Sequence, residues 1–249
     1  MKAALRALGG ALQFLTRLPL PLPRSWWPWD MPRVALAFPA AGLVIGLLLW
    51  LAAALLDGKP AELVAALLLT LWVLITGNLH LDGLADSADA WAGGLGDRVR
   101  SLEILQDPRC GPAALSLVLL TLLLKYAALL VLLRASEIAP AVWLAPLLAR
   151  AGALWLLSST EPARAGSLLA PFRQGLRAGP RNGVLLVVAL ACLLLAGWNG
   201  LWALLVAFVL GGWLRRMSRQ RLGGLTGDTL GAAIEWLELA VLLVFALAL

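Results

Sequence analysis

The chain has 249 residues, of which 61% are hydrophobic and only 14% charged, with a formal net charge of +6. A soluble domain is about 25% charged, so this composition excludes an ordinary soluble enzyme, which would lack the polar groups to cover its surface. The basic excess does not build a nucleic-acid face either, because the charges sit in loops between apolar runs, the pattern of membrane topology.

In chain order, residues 1–30 come first. "MKAALRALGGALQFLTRLPLP" carries early positive charge but no clean apolar core, being interrupted by Arg6, Gln13 and Arg17. It predicts an amphipathic helix lying in the membrane interface and not a cleaved signal. Apolar windows of up to about twenty residues follow, at 34–56, 61–81, 113–133, 138–158, 183–198, 200–214 and 229–249. The fifth and sixth are short, and "GWNG" at 197–200 reads as a turn between them. The prediction is an all-α fold: a polytopic integral membrane helical bundle of about six to seven transmembrane helices plus the N-terminal amphipathic helix, one domain over 1–249. Twelve tryptophans against one tyrosine agree with it, since many lie near the ends of apolar runs. Cys110 and Cys192 fall in different segments without metal-like spacing and read as small hydrophobes.

Sixteen of the twenty Lys and Arg residues lie in the region up to Arg33 and in the loops 82–112, 159–182 and 215–228, while the opposite side receives only Lys59 and Arg134. The alternation puts the N-terminus and the long loops in the cytoplasm.

One of those loops begins with "LHLDGLADSADAWAGG", Leu79 to Gly94. Asp82, Asp86 and Asp89 are spaced four and three apart, which places them on one helix face. Three carboxylates on one face repel unless a cation sits among them. Oxygen-only ligation selects a hard cation, magnesium before calcium, bridged by substrate phosphates. The alternative is a solvated helix start with acids at the positive end of the dipole. Gly83 leaves room for a bulky ligand beside the first acid. His80, the only histidine, stands two residues before Asp82 as ligand, acid–base group or hydrogen-bonding support; zinc is excluded for want of a second histidine or a nearby cysteine.

Two further stretches carry polar residues. "EILQDPRCGP" places Arg109 at a helix start, against the dipole, which calls for an anionic partner in the protein or a ligand. "RLGGLTGDTLGAAIEWLEL" joins Arg221 and the glycines 223, 224 and 227 to the last span, a permissive loop whose N–H groups can cradle phosphate, although no "GK[ST]" follows. Asp228 stands where that helix begins, with Thr226 and Thr229 as alternative N-caps. Within the spans, Lys125 and Arg150 balance Glu235 and Glu238. At about 1.5 Å per residue all four lie on the order of 10–18 Å from the cytoplasmic helix ends, close enough in depth to meet. They serve either as two structural ion pairs or as a positive pair for substrate. All three clusters thus gather at the cytoplasmic face. Carboxylates for metal beside arginines for anions suit transfer of a phosphate-linked group.

"QFLTRLPLP", "HLDGLADSADAWAGG", "EILQDPRCG" and "RLGGLTGDTLGAAIE", in this order and spacing, resemble the cobalamin synthase family (adenosylcobinamide-GDP ribazoletransferase) from about Leu12 to the C-terminus. The resemblance implies a magnesium-dependent enzyme of the bacterial inner membrane, surrounded by lipid and working from the cytoplasm. It would join adenosylcobinamide-GDP to α-ribazole or its 5′-phosphate, releasing GMP. On that reading Asp82, Asp86 and Asp89 hold Mg2+ against the pyrophosphate, and Asp228 or His80 takes the proton of the ribazole 3′-hydroxyl. Arg109, Lys125 and Arg150 clamp phosphate oxygens, and Arg221 with Gly223, Gly224 and Gly227 meets the nucleotide. Assembly as a homo-oligomer is compatible with this reading. The chain departs from the family pattern at Pro108 and at Ala114, where a small polar residue and a glycine are usual. Two other functions fit parts of the sequence. The acidic signature looks distantly like that of the CDP-alcohol lipid head-group phosphotransferases, and the in-span charges would suit a small-molecule transporter.

Overall fold

The computed structural model describes residues 2–249. Among them every regular element is helical, the one β feature being an isolated parallel bridge between Pro162 and Leu225. The helices are α1 (Lys2–Leu15), α2 (Met31–Leu36), α3 (Phe38–Leu55), α4 (Ala61–Thr76), α5 (Leu79–Gly93), α6 (Arg98–Ile104), α7 (Pro112–Arg134), α8 (Ile138–Ser159), α9 (Ala170–Arg173), α10 (Ala178–Leu222) and α11 (Gly227–Leu247). Five of them, α3, α7, α8, α10 and α11, are long and apolar enough to cross a bilayer, and α4 with α5 forms a sixth, bent candidate. This is a polytopic membrane bundle.

α8 is the central post. Its side chains are buried nearly all round, from Ala141 to Leu157. α3 lies directly on it because Gly42 and Gly46, four residues apart, present no side chain: a β-carbon at either would meet the α8 backbone at Pro146 O or Val142 O within 2.5 Å. Small residues in this spacing let helix backbones touch, a main source of association where lipid removes the hydrophobic drive. α7 and α10 are peripheral. Leu115, Leu119 and Leu123 on α7, and Leu194, Phe208 and Val209 on α10, are all exposed. So much bare apolar surface belongs against lipid chains.

Of three sequence expectations, two change here and one, the turn at 197–200, is borne out. The window 61–81 does not run as one helix: α4 ends at Thr76, Gly77 and Asn78 both take left-handed backbone (φ 61°), and α5 leaves at 87°. The turn is braced by Arg17, whose N–H donates to Ile75 O and whose side-chain stem fills the space beside Gly77. We therefore read α4 as the crossing limb and α5 as lying outside the spans. Second, the windows 183–198 and 200–214 are the limbs of the 45-residue α10, broken at Gly197 (φ 51°, ψ −121°). Cys192 Sγ lies 3.4 Å from Gly200 O, whereas eight residues of straight helix would separate them by about 12 Å. The chain therefore folds back on itself, and the outgoing limb continues well past 214, to Leu222. Third, α1 is amphipathic, but its apolar face is spent inside the protein. Ala11, Leu12 and Leu15 are buried, and Phe14 packs between Phe38 and Phe172 with centroids 5.9 and 4.5 Å away.

Candidate functional site at one end of the bundle

The start of α7, the starts of α5 and α11, the end of α10, α6 and the loop after α8 come together at one end. α5 supplies the acids. At about 100° per residue, Asp82, Asp86 and Asp89 fall within about 60° of one another. Leu81 and Leu84 on other faces are buried, which fixes the helix so that the acidic face stays accessible.

A fourth acid joins them from the far end of the sequence. Thr226 is the N-cap of α11, in a reciprocal capping box with Thr229: Thr229 N donates to Thr226 Oγ1 (3.1 Å) and Thr226 N donates to Thr229 Oγ1 (3.0 Å). The N-cap is therefore Thr226 and not Asp228. The Asp228 backbone lies against Gly83, where a β-carbon would come within 2.6 Å of Asp228 O. Gly83 thus makes room for α11, not for a ligand. Burial, then the charges of Asp82, Asp228 and Asp89, push the Asp86 carboxyl up to about 6.

Asp89 has a second task. Its Oδ2 accepts from Gly111 N (2.6 Å) and its Oδ1 from Ala114 N (3.0 Å), so it caps α7 from another helix. The bond at 114 uses a backbone N–H, so Ala114 in place of glycine leaves it intact. Gly111 is required at its own position, because a β-carbon there would meet the Asp89 carboxylate at 2.7 Å.

The acids form an open cluster. Among the described residues no three His, Cys, Asp or Glu side chains converge tightly enough to hold an ion by themselves. Carboxylate donors that leave most of a coordination shell free fit magnesium, which keeps waters and takes substrate phosphates.

The structure separates other predicted site residues from this face. His80 points about 160° around α5 from Asp82. It is buried, with Nδ1 3.4 Å from Arg150 Nη2. Burial, then Arg150 and Lys125, hold its imidazole well below the ordinary range, so it is neutral at pH 7. Lys125 and Arg150 do meet Glu235 and Glu238, as their depths predict. Lys125 Nζ donates to both Glu235 Oε2 and Glu238 Oε2 at 2.6 Å, Arg150 donates to Glu238 Oε1, and Trp72 Nε1 donates to the same oxygen at 3.3 Å. This network is buried and joins α4, α5, α7, α8 and α11. Its members neutralise one another, which assigns the two cations to a structural pairing, away from a phosphate clamp, and removes the feature that suggested a transporter.

Arg109 is exposed and forks onto Asp107, Nε donating to Oδ1 at 2.9 Å, so its anionic partner is a protein carboxylate. That fork holds Asp107 down at about 2. Arg221 donates to Trp91 O (3.1 Å) and lies over the Trp91 ring. Gly223 is the left-handed C-cap of α10 (φ 73°), and Gly224 packs on the 161–163 backbone, where Ala163 N donates to Leu225 O and Leu225 N to Glu161 O. Of the three loop glycines only Gly227 is open. It borders a cavity of about 310 Å3 with Asp228, Arg164 and Gln106. Sequence reading missed Arg164 there, and also Arg98, which donates to Leu222 O (2.9 Å) and Ala163 O (3.0 Å) and ties α6 to the loop. Neither carries a motif; only the fold brings them in.

Against known proteins, the cobalamin-5-phosphate synthase family model matches residues 7–246. A protein of Pseudomonas putida (strain W619) named adenosylcobinamide-GDP ribazoletransferase is 52% identical over 238 residues, covering 96% of this chain and 97% of its own. Proteins of the same name from Pseudomonas savastanoi pv. phaseolicola (51%, 95% and 97%) and Pseudomonas entomophila (52%, 95% and 97%) are similar to the same extent. No solved structure matches the chain. With the family match spanning nearly every residue from α1 to α11, the chain belongs to the cobalamin-5-phosphate synthase family and is a transferase of cobalamin biosynthesis.

Proposed function

We propose that the acidic end of the bundle joins adenosylcobinamide-GDP to α-ribazole or its 5′-phosphate, at the cytoplasmic face of the bacterial inner membrane, with Mg2+ required. The observation that carries the reading is the convergence of Asp82, Asp86 and Asp89 on α5 with Asp228 on α11, where burial and then the charges of the other three acids raise Asp86 to about 6. Asp82 and Asp86 are the principal magnesium ligands, with Asp89 adding the lone pairs that α7 leaves free. When bound, the ion neutralises charge on the pyrophosphate and on the departing phosphate.

The ribazole 3′-hydroxyl oxygen attacks the phosphorus attached to the cobinamide side. A new O–P bond forms, the bridging P–O bond to the nucleotide breaks, and GMP leaves with that bridging oxygen and its electron pair. Asp228, beside the acids at the start of α11, takes the hydroxyl proton. Arg164 and the open Gly227 N–H border the cavity next to it and suit a phosphate group. His80 supports Arg150 from behind.

The test is GMP release by the detergent-purified protein. Release that requires both substrates and stops on magnesium removal is expected; equal release in EDTA would end the metal assignment.

A further inference from the structure

On the face of α5 opposite the acids lies a second cavity, of about 470 Å3, at the same end of the bundle. Small-molecule sites occupy roughly 300–1,000 Å3. Its wall is apolar and aromatic. Leu84 and Trp91 come from α5, Leu117 from α7, Met217 from α10, and Trp213 and Trp236 stack on each other across α10 and α11 (5.5 Å, 7°). Three hydroxyls interrupt it, those of Ser87, Ser218 and Thr229. The Ser87 side chain is 8% exposed, and its Oγ has no hydrogen-bond partner. The Thr229 hydroxyl in the same wall is committed to the α11 cap.

We infer that this cavity binds the flat, uncharged bicyclic base of the acceptor nucleoside, with Ser87 Oγ donating to the one unsubstituted ring nitrogen; the assignment rests on the ribazoletransferase reading above. Three observations select this ligand. A lipid chain would fill the volume but leave the Ser87 hydroxyl unpaired, as it is now. A guanine ring would bring several donors and acceptors to a wall whose only polar side chains are the hydroxyls of Ser87, Ser218 and the committed Thr229, and each group left unpaired weakens binding about 5-fold or more. A benzimidazole riboside presents two aromatic faces and a single acceptor, which matches. The cavity also adjoins the reacting end on both sides. Thr229 in its wall follows Asp228, and Ala113 precedes Ala114, whose N–H holds Asp89.

The test compares two acceptors, α-ribazole and its indole analogue, in which C–H replaces the acceptor nitrogen. For the wild-type protein the indole KM should be about 2- to 10-fold the higher, the worth of one buried hydrogen bond. Ser87→Ala should abolish that ratio, an outcome that mere loosening of α5 would not give. Ala88→Phe, at the cavity wall, should raise the α-ribazole KM roughly tenfold or more while leaving the adenosylcobinamide-GDP KM nearly unchanged. Tryptophan fluorescence titrated with α-ribazole alone reads the cavity without turnover, and its saturable quenching should vanish in Ala88→Phe. A wild-type protein that quenches but releases no GMP refutes the reaction and keeps the cavity. Turnover with the indole ratio retained in Ser87→Ala, or with the acceptor KM unchanged in Ala88→Phe, leaves the cavity to lipid and overturns the assignment.

Discussion

Gly83 of α5 and Asp228 of α11 touch backbone to backbone, so closely that a β-carbon at 83 would stand 2.6 Å from Asp228 O and 3.0 Å from its Cα. The fourth acid reaches the acidic face only because this side chain is missing. Gly83→Ala should therefore push the two helices apart. We expect a stability loss of about 1–3 kcal/mol and a fall in kcat well beyond what the lost stability explains. Chemical denaturation alongside steady-state kinetics separates the two, and full activity in the variant would show that the contact does not set the site.

The acids have unequal roles. Asp82→Asn and Asp86→Asn should raise the magnesium concentration for half-maximal activity strongly. Asp89→Asn should act partly through α7, costing about 0.5–2 kcal/mol as a lost cap with a smaller shift in magnesium dependence. Magnesium titrations of GMP release in the three variants check the ranking; an unchanged titration in Asp82→Asn would remove that residue from the ligand set.

Asp86 gives the site a pH dependence. Its carboxyl is raised to about 6 by burial and like charge. In the metal-free protein its contribution to stability is present at low pH, when the group is protonated, and is lost as pH rises through about 6. Magnesium held by the acids, as proposed, would reverse that loss. Mg2+ should raise Tm above pH 6 and have little effect at pH 5, and in Asp86→Asn the pH step should disappear. Differential scanning fluorimetry with and without Mg2+ measures this.

The buried network around Glu238 predicts a non-additive pair. Lys125→Met alone leaves Glu235 and Glu238 with one fewer cation in a dry interior and should cost about 3–5 kcal/mol. Lys125→Met combined with Glu235→Gln removes one charge of each sign and should recover a large part of that loss. A double-mutant cycle by denaturation gives the coupling, and strict additivity would mean that the two residues do not act as a pair.

Arg109 is exposed and paired with the neighbouring Asp107. Surface pairs of this kind contribute about 0–1 kcal/mol, so Arg109→Gln should leave stability unchanged. A raised KM for adenosylcobinamide-GDP in that variant would show that the guanidinium turns from Asp107 to the substrate.

Much was legible without the fold. The scarcity of charge determined a membrane bundle, because lipid accepts helices whose polar groups are satisfied internally. The spacing of Asp82, Asp86 and Asp89 determined one acidic face, because helix geometry is local. The similar depths of Lys125, Arg150, Glu235 and Glu238 determined that they could meet. Four other features needed tertiary structure. Window length could not distinguish a span from a span plus a turn, so the left-handed pair Gly77–Asn78 was invisible to hydropathy, whereas the reversal at Gly197 was already marked by "GWNG". His80 needed the fold for its partner: helix geometry alone turns it away from Asp82, and only packing sets it against Arg150. Asp228, far along the chain from Asp86, became its neighbour only through the packing of α5 on α11 at Gly83. And Ser87 acquired meaning from three tryptophans on different helices, since a cavity belongs to no segment of the chain and exists only once the helices have packed.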